Sequence, residues 1–376
     1  MERKKYLLVV NYYYPYISGL SEVVRLLAEG LAKAGQDVTV VCSNHANLPE
    51  REVLNGVKVL RTPVWLRISK GTISPAFITQ TLRLAKDADI VNLHAPMLES
   101  GLISALVDKK KLVVTYHCDI DLKPGLVNNF IKSVMLMMNN WALKNARKIM
   151  VTSVDYGSHS LLASRYTGKL VEVHTPIKDY SRVPANRPAG KHVIGFCGRL
   201  VMEKGIDVLL KAYQILRSKR SDLCLWIGGD YQNVAGGSIY PELEAFVREN
   251  NLQDVYFLGK IPEEKMAEFY SSLDVFALPS TNPLEAFGMV QVEAMFCGTP
   301  VTASDLYGVR TIIGNTGMGL VHKKGNPEDL ARCLEEIIDH PETYIRPKAE
   351  IAGLYSTEQF LHDYEVCCNE ICMSNT

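Results

Sequence analysis

Short apolar runs alternate with longer amphipathic stretches along most of this chain of 376 residues. In the first half the apolar runs lie at 7–10, 38–42, 57–60, 90–93, 112–116, 149–151 and 171–173. Runs this continuous are typical of strands buried on both faces, and the stretches between several of them have helical spacing. In residues 22–34, for example, Val23, Leu27 and Leu31 fall on one side of a helix. The pattern predicts a parallel sheet covered by helices.

A polar, proline-rich segment at residues 176–191 interrupts this alternation, and its lack of any period predicts a linker. Apolar runs then return at 193–196, 223–227, 255–257, 275–278 and 300–303. The fold class that follows is α/β, with two doubly wound, Rossmann-like domains at 1–178 and 190–355 facing a central cleft. The tail, 356–376, has the spacing of one more amphipathic helix.

Charge and composition exclude several classes of protein. Lys and Arg together number 41, as do Asp and Glu, so the net charge is zero and no nucleic-acid partner is expected. The nine cysteines form no C-x-x-C pair, which favours buried free thiols in a reducing cytoplasm and argues against zinc. No apolar run approaches the 18 residues or so that span a bilayer. The expected location is the cytoplasm.

A glycine-rich basic loop follows the first strand of the second domain. Gly198 lets the backbone come close to a ligand, and Arg199 and Lys204 place two positive charges beside a helix N-terminus. Such a loop would neutralise a diphosphate, although basic loop residues are more often simply solvated.

Two glutamates lie before and within a predicted helix at 287–296. Glu285 lies in the preceding loop and Glu293 lies about two turns into the helix, among apolar residues. The helix N-terminus suits a pyrophosphate because its first amides point outward at the positive end of the dipole. A carboxylate on an apolar helix needs a partner, which two ribose hydroxyls would provide; a solvated glutamate at the helix rim is the alternative.

Two loops of the first domain are also candidates. Gly19, at the start of a helix, offers amides to an anion, with a plain turn capped by Ser21 as the alternative. His117 follows the strand at 112–116 and would face the predicted cleft, where it could bond a sugar hydroxyl, although a lone histidine is more often structural. No G-x-G-x-x-G fingerprint is present in the chain, which argues against an NAD-dependent dehydrogenase.

The segment 130–148 mixes Met, Trp and Phe with Lys and Arg. Such a stripe is more often part of a core. The alternative is that it rests on an anionic membrane surface and meets a lipid-linked acceptor.

Four motifs occur in order at predicted strand ends: the Pro15–Gly19 turn, His117-x-Asp119, Gly198-Arg199 with Glu203-Lys204-Gly205, and Glu285-x7-Glu293 enclosing Phe287-Gly288. Over nearly the whole chain these motifs resemble those of the retaining, nucleotide-sugar-dependent glycosyltransferases of family 4. The resemblance implies the GT-B fold, in which two Rossmann-like domains face each other, and a C-terminal helix that packs back on the N-terminal domain.

The resemblance also implies roles for individual residues. Arg199 and Lys204 would hold the donor diphosphate and stabilise its departure. Glu293 would bind the ribose hydroxyls, and Glu285 would contact the donor sugar near its reacting face. His117 would contact the 6-hydroxyl of that sugar or the reaction centre.

Further donor contacts are implied along the backbone. Gly19 would lie against the diphosphate, and the base would stack near residues 259–262. The other donor-binding positions are Gly198, Lys260, Ile261, Phe287, Gly288, Met289 and Val290. The family generally needs no metal and no cofactor. Leu20 stands where many members have a second glycine, so this loop would be less open.

The function that the resemblance implies is retaining transfer of a hexose-type sugar from a nucleotide-diphosphate-sugar to a hydroxyl of a glycan or lipid-linked acceptor. Surface polysaccharide or glycolipid synthesis would use such a reaction, with the protein in the cytoplasm or peripheral on the inner face of the membrane. A nucleotide-sugar epimerase or a glycogen-type phosphorylase of the same fold and a non-catalytic nucleotide-sugar binder remain alternatives.

Overall fold

The computed structural model describes residues 3–16, 18–68, 71–122, 124–232, 234 and 237–373. The predicted turn at 15–19 therefore includes one position, Ile17, outside the described residues. The chain divides into two compact units, Met1–Pro176 with Thr357–Thr376, and Ile177–Ser356. Each is an α/β unit around its own sheet, as the alternation of apolar and amphipathic segments predicts.

The first unit is built on an eight-stranded sheet of order β10-β9-β8-β7-β1-β2-β4-β3. All neighbouring strands are parallel except β3, which runs antiparallel to β4. The strands are β1 (Lys5–Val9), β2 (Asp37–Ser43), β3 (Arg51–Leu54), β4 (Val57–Thr62), β7 (Ile90–Ala95), β8 (Leu112–Tyr116), β9 (Lys148–Val151) and β10 (Leu170–Glu172), with a separate hairpin of β5 (Leu66–Ile68) and β6 (Gly71–Ile73).

The helices of the first unit are α1 (Gly19–Lys33), α2 (Pro75–Ala85), α3 (Ser100–Leu106), α4 (Leu126–Asn145), α5 (Val154–His159) and the tail helix α14 (Thr357–Met373). Helix α1 begins three residues before the predicted helical stretch because Ser18 and Ser21 form a capping box ahead of its apolar face. The tail helix packs on this unit: Phe360 and Tyr364 lie in its core, and Asn92 donates to the Tyr364 hydroxyl at 3.0 Å.

The second unit has a six-stranded, all-parallel sheet of order β13-β12-β11-β14-β15-β16. Its strands are β11 (His192–Cys197), β12 (Leu223–Gly228), β13 (Val255–Gly259), β14 (Val275–Leu278), β15 (Val301–Ser304) and β16 (Gly319–His322). Its helices are α6 (Ile206–Arg217), α7 (Tyr240–Glu249), α8 (Met266–Ser271), α9 (Met289–Phe296), α10 (Val309–Thr316), α11 (Pro327–Asp339), α12 (Pro341–Tyr344) and α13 (Lys348–Tyr355).

The strand order reverses between β11 and β14 in this sheet. Successive strands add on one side of β11 up to β13, and then β14 pairs on the other side. The helices that follow β11 and β14 therefore diverge and leave a crevice beyond the carboxyl ends of these two strands. The loops after β11 and β14 carry the predicted basic residues and Glu285.

The predicted linker has no helix or strand at 178–188, in keeping with its composition, but it is not a free connection. Its backbone amides at Val183 and Asn186 donate to the hydroxyls of Ser271 and Ser272 at 3.0 and 2.9 Å. The segment therefore lies along the second unit, and the division of the chain falls between Pro176 and Ile177.

Candidate active site

A lysine and a glutamate meet at the switch point of the second sheet. Lys204, in the 3-10 turn Met202–Lys204 after β11, forms an ion pair with Glu285, which follows β14. The Ser280 hydroxyl also donates to the Glu285 carboxylate at 3.2 Å. Burial alone would raise the pKa of Glu285, but the charge and hydrogen bond of Lys204 outweigh it, and the pKa is lowered. Glu285 is therefore ionised at neutral pH.

Backbone contacts fix the turn that carries Lys204. Gly205 has φ +66°, and a Cβ there would lie 2.0 Å from the carbonyl oxygen of Pro279. Thr281 donates its amide to the Glu203 carbonyl at 2.9 Å. Only glycine permits this close approach of the two loops, so the β11 and β14 loops are held together by main chain as well as by charge.

The second predicted cation, Arg199, has a different environment. Its guanidinium forms an ion pair with Glu203 at 3.1 Å, and half of its side chain is exposed. An exposed pair of this kind contributes little to stability. The two cations thus differ in exposure, since the Lys204 side chain is mostly buried.

Helix α9 begins at Met289, two residues later than predicted, because Gly288 adopts φ +82° as its N-cap. The side chain of Phe287 is buried against Tyr355, with ring centroids 5.9 Å apart, so only the backbone of Phe287 borders the loop. The first amides of α9, at Met289 and Val290, have no acceptors inside the helix and point from its positive end.

A buried glutamine holds this helix start in place. The Gln291 amide donates to the carbonyl oxygens of Phe287 and Val309, both at 3.1 Å. A Cβ at Gly288 would lie 2.5 Å from Leu278 and 2.9 Å from the Gln291 amide nitrogen. The backbone between Glu285 and α9 is thus packed directly against β14.

Glu293 lies one turn further along α9 and accepts a hydrogen bond from the Tyr270 hydroxyl at 2.8 Å. Burial raises the pKa of Glu293 to about 7, against the opposing effects of the Tyr270 hydrogen bond and of Lys178. The Glu293 carboxyl therefore titrates near neutral pH, where it exchanges between its protonated and ionised forms.

The predicted base region surrounds the end of β13. Lys260 is exposed, and Ile261 packs over Gly228, where a Cβ would lie 2.4 Å from Ile261 Cδ1. Gly198, which donates its amide to Gly228 at 3.0 Å, has its carbonyl oxygen 1.7 Å from the position of a Cβ on Gly229. Two adjacent glycines, the last residue of β12 and the one after it, thus bring the β11, β12 and β13 loops within van der Waals contact.

In the first unit, His117 is bonded to a second histidine. His117 Nε2 lies 3.0 Å from Nδ1 of His94, near the end of β7, and the two rings stack with centroids 5.3 Å apart. The His117 amide donates to Ala95 at 3.0 Å. Burial lowers the pKa of His117 to about 4, and burial and His117 lower the pKa of His94. Both rings are neutral at neutral pH.

The other predicted positions of the first unit lie in different surroundings. Gly19 is the first residue of α1. Asp119, the last residue of the His117-x-Asp119 motif, accepts from the Tyr116 hydroxyl at 2.7 Å and from the Leu161 amide at 3.0 Å, which makes it a structural residue. Beside the end of β1, Asn11 donates to the buried carboxyl of Glu99 at 3.2 Å.

Four polar residues at or beside these positions were not predicted: His94, Glu99, Tyr270 and Gln291. Each is buried; His94 directly follows the apolar run 90–93, and Gln291 lies among apolar residues of the predicted helix 287–296. The signal that could have identified them is a polar residue next to or among buried apolar residues, since a buried polar group needs a partner.

The stretch 130–148 falls mostly on α4. The first half of this helix is open to solvent: Leu126, Val127 and Phe130 are 91%, 70% and 71% exposed, and Trp141 is 42% exposed. Only Asn139, Ala142 and Leu143 are buried in α4. The core interpretation is therefore wrong for the first half of the helix, and in the second half it holds only for the buried side, since Trp141 is exposed.

Within the described ranges, no helix combines the length and the apolarity that crossing a bilayer requires. Among the same described residues, no three His, Cys, Asp or Glu side chains lie close enough together to hold a metal ion.

Comparison with known proteins matches both units. The model of Glycosyltransferase Family 4 matches residues 17–177, and the model of Glycosyl transferases group 1 matches residues 177–351. D-rhamnosyltransferase WbpZ of Pseudomonas aeruginosa is 27% identical over 350 residues, which cover 89% of this chain and 87% of that protein.

Solved structures match over nearly the full length. Sucrose-phosphate synthase of Thermosynechococcus elongatus is 22% identical with a TM-score of 0.76, covering 99% of this chain and 100% of that one. Anabaena HepE in complex with UDP-glucose is 17% identical with a TM-score of 0.73, covering 98% and 100%. The chain belongs to the nucleotide-sugar-dependent glycosyltransferases of the GT-B fold, with the domains of family 4 and group 1. The fold class and the family that the motifs predicted are confirmed.

Proposed function

We propose that the chain transfers a hexose-type sugar, with retention of configuration, from a nucleotide-diphosphate-sugar to a hydroxyl of a glycan or lipid-linked acceptor. The observation that carries this proposal is the Lys204–Glu285 ion pair beside the N-terminus of α9. The charges of Lys204 and Glu285 and the first amides of α9 come together where the strand order of the second sheet reverses. Open α/β sheets bind their ligands, nucleotides among them, at this point.

Lys204 stabilises the leaving diphosphate. An ammonium group has three N–H donors, so Lys204 bonds Glu285 and phosphate oxygens at the same time. The amides of Met289 and Val290 and the exposed guanidinium of Arg199 add positive potential. These charges lie where negative charge builds up on the diphosphate as the bond to the sugar breaks. Because protein cations supply this charge, the reaction proceeds without a metal or a cofactor.

Glu285 acts as a hydrogen-bond acceptor for the donor sugar. Burial raises the pKa of Glu285, but the charge and hydrogen bond of Lys204 lower it by more. Glu285 is therefore ionised at neutral pH and has no proton to give. Because the acceptor hydroxyl attacks from the face that the diphosphate leaves, an oxygen of the departing diphosphate takes the acceptor proton. The bond from the anomeric carbon to the diphosphate breaks, a bond to the acceptor oxygen forms on the same face, and the products are the glycoside and the nucleoside diphosphate.

The remaining donor contacts follow the same arrangement. Glu293 binds the ribose hydroxyls, and the base lies over Lys260 and Ile261. Gly19 and His117 of the first unit contact the diphosphate and the sugar. In support, WbpZ is named as a D-rhamnosyltransferase and HepE was solved with UDP-glucose. The uncovered apolar side chains of α4 lie on an anionic membrane surface, in keeping with a lipid-linked acceptor in surface polysaccharide or glycolipid synthesis.

Purified Lys204→Ala and Glu285→Ala variants test this assignment. Each should lose at least about a hundredfold in transfer rate, the effect of removing one fixed charge-stabilising group. Circular dichroism should show an unchanged fold. Product analysis by NMR gives the anomeric configuration, and a donor-only incubation detects an epimerase. Near-normal transfer by either variant would contradict the proposal.

A further inference from the structure

Two neutral imidazoles that share one hydrogen bond must divide the roles of donor and acceptor. His94 Nδ1 and His117 Nε2 are 3.0 Å apart, and both rings are neutral at neutral pH because burial lowers the pKa of each. Either His94 donates from Nδ1 to His117, or His117 donates from Nε2 to His94. Each choice fixes the tautomer of both rings.

The environment of His94 decides between the two. Its side chain is 1% exposed, and its other ring nitrogen, Nε2, is buried with no hydrogen-bond partner among the residues that the structure describes. If His117 were the donor, the proton of His94 would have to sit on Nε2, as a buried N–H group without an acceptor. Buried N–H groups without an acceptor are rarer in proteins than acceptors with an unused lone pair.

The backbone holds the two histidine rings in a fixed relative position. His94 is on β7 opposite Thr115 of β8, in the interior of the sheet. The backbone of His117 is fixed beside it, because its amide donates to the carbonyl of Ala95 at 3.0 Å. The ring planes are only 22° from parallel. Both the strand pairing and the backbone bond hold the two rings in this register.

We infer that His94 is a positioning residue that donates from Nδ1 to His117 Nε2 and thereby keeps His117 in the tautomer that carries its proton on Nδ1. His117 then offers an N–H group, and not a lone pair, from its remaining ring nitrogen. Such a group bonds oxygens that can accept, as a sugar hydroxyl or a phosphate oxygen does. A partner that fixes a tautomer in this way is typical of functional histidines.

Spectroscopy on the unmodified, full-length protein tests the tautomer directly. Long-range ¹H–¹⁵N correlation spectra of histidine-labelled protein distinguish protonated from unprotonated ring nitrogens, and a His117→Asn spectrum assigns the signals. The expected result is a protonated Nδ1 and an unprotonated Nε2 on His117 at pH 7. A protonated Nε2 on His117 would overturn the inference. This readout needs no enzymatic activity, so it stands apart from the proposed function.

Two substitutions at His94 extend the test to turnover. His94→Asn keeps an N–H donor close to the position of Nδ1, whereas His94→Leu fills the space without a donor. We expect His94→Leu to lower kcat at least about tenfold with little change in the KM for the donor, and His94→Asn to restore most of that loss. Equal activity of the two variants, both folded, would contradict a role through the hydrogen bond. Because the role of His117 rests on the proposed glycosyl transfer, a correct NMR tautomer with unaffected turnover would refute that role alone.

Discussion

Glu293 shows at the scale of one residue how a buried carboxyl makes stability depend on pH. Its carboxyl lies on an apolar helix with the Tyr270 hydroxyl as its hydrogen-bond donor. Burial raises its pKa from 4.5 to about 7. Between these two values the unfolded chain releases the proton and the folded chain keeps it, so stability falls as pH rises through this window and stays reduced above it.

We therefore expect Glu293→Gln to stabilise the protein against heat, more at pH 8 than at pH 4.5, while it weakens binding of the nucleotide-sugar. The amide cannot ionise, and it accepts fewer hydrogen bonds from ribose hydroxyls than a carboxylate does. Thermal melts of both proteins across this pH range make the measurement, with Glu242→Gln on the exposed start of α7 as the control. A melting-temperature difference that does not change with pH would refute the buried, raised-pKa carboxyl.

At the scale of an element, the turn that holds Lys204 depends on the contact between Gly205 and Pro279. We expect Gly205→Ala to lower the transfer rate at least tenfold, because a Cβ 2.0 Å from the Pro279 carbonyl must displace the turn and its lysine. Steady-state kinetics and a thermal melt check this.

Gly190 gives the matched control for that substitution. It also has a positive φ, +72°, but no atom of the described part of the chain lies within 4 Å of its Cβ position. Gly190→Ala should therefore destabilise by about 1 kcal/mol through backbone strain alone, with normal turnover. If the two variants lose turnover equally, the close approach at Pro279 is not what positions Lys204.

Helix α4 makes a prediction of its own about membranes. Its first half exposes Leu126 and Phe130, and wild-type protein should float with anionic liposomes in a density gradient. The double substitution Leu126→Glu with Phe130→Glu should abolish flotation because it places charge on the apolar face. Val53→Glu changes another exposed apolar residue, 68% exposed on β3, and should have no effect. Wild-type protein that stays at the bottom of the gradient would rule out this surface.

For the whole molecule, the sequence predicts far more of the architecture than of the site. Continuous apolar strands such as β1 and β11 predict parallel sheets because only buried strands tolerate such runs. The strand β16 was missed, since Gly319–His322 is short and opens with a glycine. Lys204 and Glu285 were both placed at strand ends, but they are 81 residues apart, and their contact follows from the pairing of β11 with β14, which no local pattern encodes.

The buried partners were harder still to predict. His94 and Gln291 lie next to or among apolar residues that have the pattern of core, and their roles depend on which atoms of distant segments they meet. Gln291 donates to the carbonyl of Val309, 18 residues away. His94, on β7, is hydrogen-bonded to His117, which follows the neighbouring strand β8. Such contacts depend on three-dimensional packing rather than on residue type or spacing.

We propose above all that the second unit binds a nucleotide-sugar through Lys204 and Glu285. The most direct test of this proposal is a thermal-shift screen of UDP-, GDP- and ADP-sugars on the wild-type protein and on Lys204→Ala. We predict that at least one of these donors raises the melting temperature of the wild type, with a shift that saturates with concentration and is largely lost in the variant. If none of the donors raises the melting temperature of the wild type, or if Lys204→Ala shows the same shift, nucleotide-sugar binding through Lys204 is contradicted.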